Sequence, residues 1–178
     1  MEPAAASGAR SGARSQERPY VDALLHLAAL SIVAGGIHAV AAPPHFAETW
    51  ARGAFFVVLA TFQLGWGALV YARPSIRALR LGAAVNLLVI GVWIGSRTLG
   101  APFGPDQWQP ESIGPLDLAA TASEALIAAM CGAFLAVRGS QPATTVLPER
   151  FRHLQPLAFC TMTAGLLVMF LGGGHHPH

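Results

Sequence analysis

The chain has 178 residues, of which 53% are hydrophobic and 11% are charged, and its formal net charge is +2. A soluble domain has roughly a quarter of its residues charged, so this composition excludes an ordinary soluble protein. All eleven basic residues are arginine, a bias typical of a GC-rich genome, and no nucleic-acid partner is expected. The composition predicts an integral membrane protein whose main partner is the lipid bilayer.

Residues 1–19 are rich in Ala, Gly, Ser and Arg and have no apolar periodicity, which predicts a disordered cytoplasmic tail. Apolar segments follow, each close to the roughly 20 residues that cross a bilayer. Five are predicted to be spans, at residues 20–42, 53–72, 78–96, 116–137 and 156–172. The fold class is therefore all-α, a polytopic transmembrane helical bundle, and residues 173–178 form a His-rich C-terminal tail.

Prolines mark several of these boundaries. Pro43-Pro44 is expected to end the first span, Pro74 follows the second, and Pro115 and Pro156 open the fourth and fifth. The Ala39-Val40-Ala41 sequence resembles a signal-peptide cleavage site, but the apolar stretch is too long and prolines follow at once. The first segment is therefore expected to remain as a span.

The two cysteines, Cys131 and Cys160, share no CxxC spacing and lie within apolar segments. This pattern predicts buried, inert thiols rather than a disulfide framework or a zinc knuckle.

The distribution of arginine predicts the orientation of the bundle, because cytoplasmic loops carry an excess of basic residues. With five spans, only Arg52 and Arg97 lie on the outer side. The other nine lie on the cytoplasmic side: Arg10, Arg14, Arg18, Arg73, Arg77, Arg80, Arg138, Arg150 and Arg152. The N-terminus is therefore predicted to be cytoplasmic and the C-terminus external.

Small residues recur at four-residue intervals in three of the spans, a pattern typical of closely packed membrane helices. The rows are Ser31, Gly35 and Ala39; Gly91 and Gly95; and Ala128, Gly132 and Ala136. The alternative is that Gly and Ala are simply common in this chain.

Polar residues within spans are costly, so their positions are informative. At about 100° per residue, each of the first four helices carries one polar stripe. Turned inward, these stripes predict a pocket in the outer half of the bundle, with Gln63 and Asn86 as its floor. The predicted pocket residues are His38, Gln63, Asn86, Trp93, Arg97, Asp117 and Glu124.

Three interpretations of this pocket are open. A divalent ion such as zinc or copper is one, with His38, His45, Glu48 and Glu124 as candidate ligands. A structural network is the second, in which Arg97 pairs with Glu124 or Asp117 and His38 is hydrogen-bonded to the pair. A small polar or lipid-derived ligand is the third, with Arg97 holding an anionic group and Trp93 or Trp108 closing over it.

Three functions are open as alternatives. The first is a ligand-binding or accessory membrane protein, the second is a small membrane enzyme that uses Glu124 and His38 as acid and base, and the third is a structural subunit of a larger membrane complex. The Gly- and Pro-rich loop from Arg97 to Pro115 is expected to cover the pocket or to lie on the headgroups. No phosphate-binding loop, nucleophile elbow or HExxH motif occurs in the sequence.

Two short segments carry a family resemblance. They are Pro43-Pro44-His45-Phe46-Ala47-Glu48-Thr49-Trp50 with the following Gly53-Ala54-Phe55-Phe56 and Gln63, and Ser96-Arg97-Thr98 with Gly100 and Pro102-Phe103-Gly104-Pro105. Over roughly residues 35–130 the chain resembles a family of uncharacterised multi-pass membrane proteins of actinobacteria. The resemblance implies a bacterial inner (cell) membrane setting and no particular activity.

Overall fold

The computed structural model describes residues 4–102 and 106–140, with side chains described for residues 21–102 and 106–137. This part of the chain forms four α-helices: α1 (Ala4–Glu48), α2 (Trp50–Ala72), α3 (Ile76–Thr98) and α4 (Pro115–Ser140). Each holds a segment long and apolar enough to cross a membrane, namely Val21–Glu48, Trp50–Ala72, Ile76–Thr98 and Pro115–Val137. The described part of the chain is all-α, and its four apolar helices are those of a multi-pass membrane protein. The predicted fifth span and the His-rich tail lie outside the described residues.

The first helix is longer than the sequence predicted at both ends. It begins at Ala4, so it includes most of the segment that was predicted to be a disordered tail, and it continues through Pro43-Pro44 to Glu48. The prediction that the proline pair ends the span is wrong. A proline inside a helix removes one N–H and leaves one carbonyl unpaired, but it does not prevent the next turn from closing. That turn closes here, since the Thr49 N–H donates to the His45 carbonyl over 3.0 Å.

The next two helices also begin earlier than predicted, because hydroxyl side chains cap them. Thr49 is extended, and its Oγ1 accepts from the Arg52 N–H over 3.3 Å. Ser75 has the same conformation, and its Oγ accepts from the Ala78 N–H over 3.1 Å. Such caps satisfy N–H groups that the first helical turn leaves free. Thr49 alone connects α1 to α2, so Arg52 lies within a helix instead of in an outer loop.

The helices run up and down, with α1 packed along α2, α3 along α4, and α1 also against α4. We call the end that holds Thr49 and the α3–α4 connection the distal end, and the end that holds the 73–75 turn the proximal end. Gly35 and Gly67 allow α1 and α2 to approach closely. A Cβ on Gly67 would lie 3.0 Å from the Ala28 carbonyl oxygen, and one on Gly35 would lie 3.2 Å from that of Ala60.

The rows of small residues therefore differ in their roles. Ser31 and Gly35 lie buried in the α1–α2 interface, as the spacing predicted, whereas Ala39 of the same row is exposed. On α3 and α4, by contrast, a Cβ added to Gly91, Gly95 or Gly132 would meet nothing within 4 Å among the described residues. The described residues thus give these glycines no close packing partner, because four-residue spacing does not specify which side of a helix meets a neighbour.

The proximal half contains the main hydrophobic core. Leu27 and Leu30 of α1, Trp66 of α2 and Ile127 of α4 are buried there, with Leu79 of α3. Its buried residues also include Val70, Met130, Phe134 and the free thiol Cys131. The prediction of a buried thiol is confirmed for Cys131, whereas Cys160 lies outside the described residues.

Trp66 is held in this core by two neighbours on α3. Its indole Nε1–H donates to the Ala78 carbonyl over 2.8 Å. Its ring lies against Gly82, where an added Cβ would come within 2.0 Å of the ring carbon Cζ2. The ring therefore joins α2 to α3 near the proximal turn.

Candidate functional site

A histidine and a glutamate meet between α1 and α4 in the distal half of the bundle. The His38 Nε2 and Glu124 Oε1 atoms are 2.9 Å apart. His38 is 3% exposed and Glu124 is 1% exposed, so the pair is removed from solvent almost completely. The helical stripes predicted that these two side chains would face a common interior. The stripes did not predict their direct contact, because it depends on the axial register of α1 against α4.

The second ring nitrogen of His38 has no partner. Its Nδ1 atom is buried and makes no hydrogen bond to any described residue. The ring is flanked by Phe56, with ring centroids 5.8 Å apart. A buried polar atom without a partner costs about 1–3 kcal/mol, so such atoms are few in folded proteins. This nitrogen is therefore a candidate contact for a bound molecule.

Five charged side chains form a continuous chain of ion pairs across the distal end. Glu48 contacts Arg52 over 2.6 Å, and Arg52 contacts Glu111 over 3.1 Å. Glu111 then contacts Arg97 over 2.5 Å, and Arg97 contacts Asp117 over 2.7 Å. The chain joins the end of α1, the start of α2, the α3–α4 connection, the end of α3 and the start of α4.

The sequence predicted Arg97 with Asp117 as one of two alternatives, and the structure contains that pair rather than Arg97 with Glu124. It did not identify Glu111 as the bridge between the two arginines. A single glutamate in a Gly- and Pro-rich loop carries no periodic signal that would mark it.

The α3–α4 connection brings Glu111 to this position by folding back on α3. The Glu111 N–H donates to the Ser96 carbonyl over 3.0 Å, and the Trp108 N–H donates to the Ala101 carbonyl over 2.9 Å. Gly100 allows the reversal with a φ of 78°, since a Cβ there would lie 2.4 Å from the Gln109 nitrogen. The loop thus contributes a charged group to the distal end as well as covering it.

A cavity of about 550 Å³ lies beneath this chain, between the distal halves of all four helices. Pockets of roughly 300–1,000 Å³ hold drug-sized molecules. Its polar lining consists of His38, His45, Arg52, Trp93, Ser96, Arg97, Glu111, Asp117, Thr121 and Glu124. Its main apolar lining consists of Ile37, Phe55, Phe56, Leu59, Val89, Val92, Leu99, Trp108, Leu116 and Ala120.

Gln63 and Asn86 do not line the cavity, and the prediction that they form its floor is wrong. The Gln63 Nε2–H donates to Asn86 Oδ1 over 2.9 Å, and the Asn86 Nδ2–H donates to the Gly82 carbonyl over 2.8 Å. The Ser31 hydroxyl donates to Gln63, whose side-chain oxygen is 2.6 Å away. These groups are fully buried and hydrogen-bonded to one another, so they join α1, α2 and α3 instead of facing a ligand.

The four predicted metal ligands are not brought together. His38 and Glu124 are paired, but the His45 Nδ1 lies 2.7 Å from the Ala41 carbonyl and Glu48 is paired with Arg52. Within the described residues there is no group of three or more His, Cys, Asp or Glu side chains that could hold a metal ion. The helical stripe correctly placed His45 on the cavity side, where its ring packs on Phe56 with centroids 4.1 Å apart.

Two further unpaired nitrogens belong to residues that line the cavity. Trp93 Nε1 and Arg97 Nε are buried, and neither has a hydrogen-bond partner among the described side chains and backbone. The two residues are neighbours on α3, with the guanidinium carbon 5.7 Å from the indole centroid. An indole N–H and a guanidinium N–H are donors only. Both groups therefore need an acceptor atom.

Three observations indicate that the cavity opens sideways between α2 and α3. These helices contact each other little, and the Gln63–Asn86 and Trp66–Ala78 bonds between them lie on the proximal side of the cavity. Phe55 of α2 and Val92 of α3 line the cavity and are also exposed. In the described part of the chain, the cavity is thus continuous with the outside of the bundle between the distal halves of α2 and α3.

The fold and the site define a helical membrane protein with a cavity at one end of its helices. The chain matches no known family model, no curated protein and no solved structure.

Proposed function

We propose that this protein binds a small amphiphilic molecule in the distal cavity, within a bacterial inner membrane. The observation that carries the proposal is the buried, unpaired Nδ1 of His38, a residue that lines a cavity of about 550 Å³. A cavity with a largely apolar lining and a few unsatisfied polar atoms is typical of small-molecule sites. The lateral opening between α2 and α3 gives such a molecule access from the bilayer.

The distal end is proposed to face outward, with the N-terminus in the cytoplasm. Arg73, Arg77 and Arg80 lie at the proximal turn and are exposed, and an excess of arginine is typical of cytoplasmic connections. Arg52 and Arg97, in contrast, are held in ion pairs at the distal end. The proximal turn is therefore assigned to the cytoplasmic side.

This orientation predicts opposite labelling of two engineered cysteines. Ser75→Cys at the proximal turn and Ser112→Cys in the α3–α4 connection are both exposed positions. With native Cys131 and Cys160 replaced by serine, a membrane-impermeant maleimide added to intact cells should label residue 112 and leave residue 75 unlabelled. Permeabilised cells, in which both should react, are the control. Labelling of residue 75 alone in intact cells would reverse the orientation.

Filling the cavity should remove the bound molecule. Gly95 lines the cavity and has room for a side chain, so the ring of Gly95→Phe is expected to occupy part of the cavity space. Overpacking a filled site costs about 1–3 kcal/mol, so the molecule recovered from purified protein should fall by about tenfold. The measurement is mass spectrometry of an organic extract, expressed per mole of protein.

Gly91→Phe is the matched control for this variant, because Gly91 has the same free space on the same helix but does not line the cavity. It should retain the wild-type amount of bound molecule. If no molecule is enriched in the wild type over Gly95→Phe, ligand binding in this cavity is excluded.

The His38–Glu124 contact also favours a second function, a small membrane enzyme that uses the pair as acid and base. A carboxyl group within hydrogen-bond reach of an imidazole is the geometry that proton transfer requires. Glu124→Gln keeps a hydrogen-bonding side chain in place but cannot transfer the proton. In an enzyme, the molecule extracted from this variant should differ chemically from that extracted from the wild type; identical extracts would exclude this alternative.

A further inference from the structure

We infer that the ligand is a neutral ring compound that carries a carbonyl oxygen and an apolar tail, the chemistry of a membrane-soluble quinone. The inference rests on the proposed ligand-binding function and specifies its substrate class. It depends on three properties of the cavity: the unpaired nitrogens, the balance of charge, and the shape and polarity of the lining.

The unpaired nitrogens require an acceptor. Trp93 Nε1 and Arg97 Nε can only donate, and His38 Nδ1 can donate in one of its tautomers. A carbonyl oxygen has two lone pairs and no proton, so it can accept from more than one of these groups. A head group that has only donors, such as a primary ammonium, would leave the Trp93 and Arg97 nitrogens unpaired.

The balance of charge disfavours an anionic head. The two arginines of the distal chain already contact three carboxylates, those of Glu48, Glu111 and Asp117, so the chain has one excess negative charge. Arg97 contacts two of these carboxylates, and Glu124 lies in the same cavity wall. A carboxylate or phosphate ligand would therefore compete with carboxylates already in place. This inference differs from the sequence-based hypothesis that Arg97 holds an anionic group.

The lining matches a flat ring with an apolar tail. Phe56 and Trp93 lie beside the polar end of the cavity, and aromatic side chains pack favourably on flat rings. Phe55 and Val92 lie where the cavity opens between α2 and α3, and both are apolar and exposed. A ring placed near Trp93 would therefore leave its tail in this opening, in contact with lipid.

Three probes with the same kind of tail separate these features: a decyl-substituted benzoquinone, decylbenzene, and laurate. The first has ring, tail and carbonyl oxygens, the second lacks the oxygens, and the third replaces the ring with an anionic head. Each is added to the purified full-length protein in neutral detergent, and the thermal midpoint is followed by circular dichroism. A ligand that binds the folded state raises this midpoint with its concentration.

We expect the quinone to raise the midpoint at lower concentrations than either other probe. Gly95→Phe should abolish the shift. Trp93→Phe keeps an aromatic ring but removes the N–H, and loss of one hydrogen bond should weaken quinone binding by about three- to tenfold. Trp50→Phe is the matched control, because Trp50 is 78% exposed and does not line the cavity. Its quinone affinity should equal that of the wild type.

The possible failures are distinguishable. Equal shifts with quinone and decylbenzene, both abolished by Gly95→Phe, would overturn carbonyl recognition and leave the binding cavity intact. Tighter binding of laurate would overturn the neutral head. If no probe shifts the midpoint, or if Trp93→Phe binds quinone as well as the wild type does, the inference is wrong. The proposed function itself fails only in the separate extraction experiment, which assumes no ligand class.

Discussion

Replacing His38 with leucine is expected to lower the free energy of unfolding by about 3–5 kcal/mol, because removing one partner of a buried pair leaves the other without compensation. Glu124 is 1% exposed, and His38 Nε2 is its hydrogen-bond partner. Leucine has a volume close to that of histidine, so the loss reports the missing interaction rather than a new cavity. The measurement is unfolding by SDS in mixed micelles, followed by far-ultraviolet circular dichroism.

The double variant His38→Leu with Glu124→Leu should recover most of this loss, since replacing a whole buried pair with apolar residues is often neutral or stabilising. The two single variants complete the thermodynamic cycle. His45→Leu is the control on the same helix and should lower the free energy of unfolding by about 1 kcal/mol. In the contacts described, the only hydrogen bond of the His45 ring is to the Ala41 carbonyl of its own helix. A double variant no more stable than either single variant would show that the pair does not act as a unit.

Adding a single methyl group at Gly82 should destabilise the bundle by about 3 kcal/mol, the upper part of the usual range for overpacking. The added Cβ would lie 2.0 Å from the Trp66 ring, and that ring is fixed by its hydrogen bond to Ala78. Either the ring leaves its position or α2 and α3 separate. Unfolding of Gly82→Ala under the same conditions measures the effect.

Gly91→Ala, on the same helix, should not destabilise the bundle. A Cβ there meets nothing within 4 Å in the described structure, and alanine is favoured over glycine in a helix interior by about 1 kcal/mol. Its unfolding free energy should therefore equal or slightly exceed that of the wild type. If Gly82→Ala and Gly91→Ala behave alike, the close contact with Trp66 does not contribute to stability.

The distal chain of ion pairs joins all four helices to the α3–α4 connection, and four of its five members line the cavity. Each of its members is held by helix geometry or by the folded connection, and Glu111 contacts both arginines at once. Pairs that are partly buried and linked in a network are worth more than isolated surface pairs. The same arrangement places two carboxylates against Arg97, and the inference of a neutral acceptor rather than an anion rests on these contacts.

Helical periodicity predicted which residues face inward more reliably than it predicted their partners. His38, Trp93, Arg97, Asp117 and Glu124 all line one cavity, as the stripes indicated, and their role in binding stays a prediction. Gln63 and Asn86 also face inward, but they bond to each other. A stripe gives the direction of a side chain from its own helix axis, whereas pairing depends on where the neighbouring helix presents its own polar group.

The sequence by itself determined that the chain is a helical membrane protein, because apolar segments of this length can satisfy their backbone polar groups in lipid only by forming helices. It also determined which side of each helix is polar. Tertiary structure alone decided the partners: His38 with Glu124, Gln63 with Asn86, and Glu111 between two arginines. The reason is that these contacts depend on the axial shift and separation of helices, which are set by close approaches at a few glycines and by the fold of one connection.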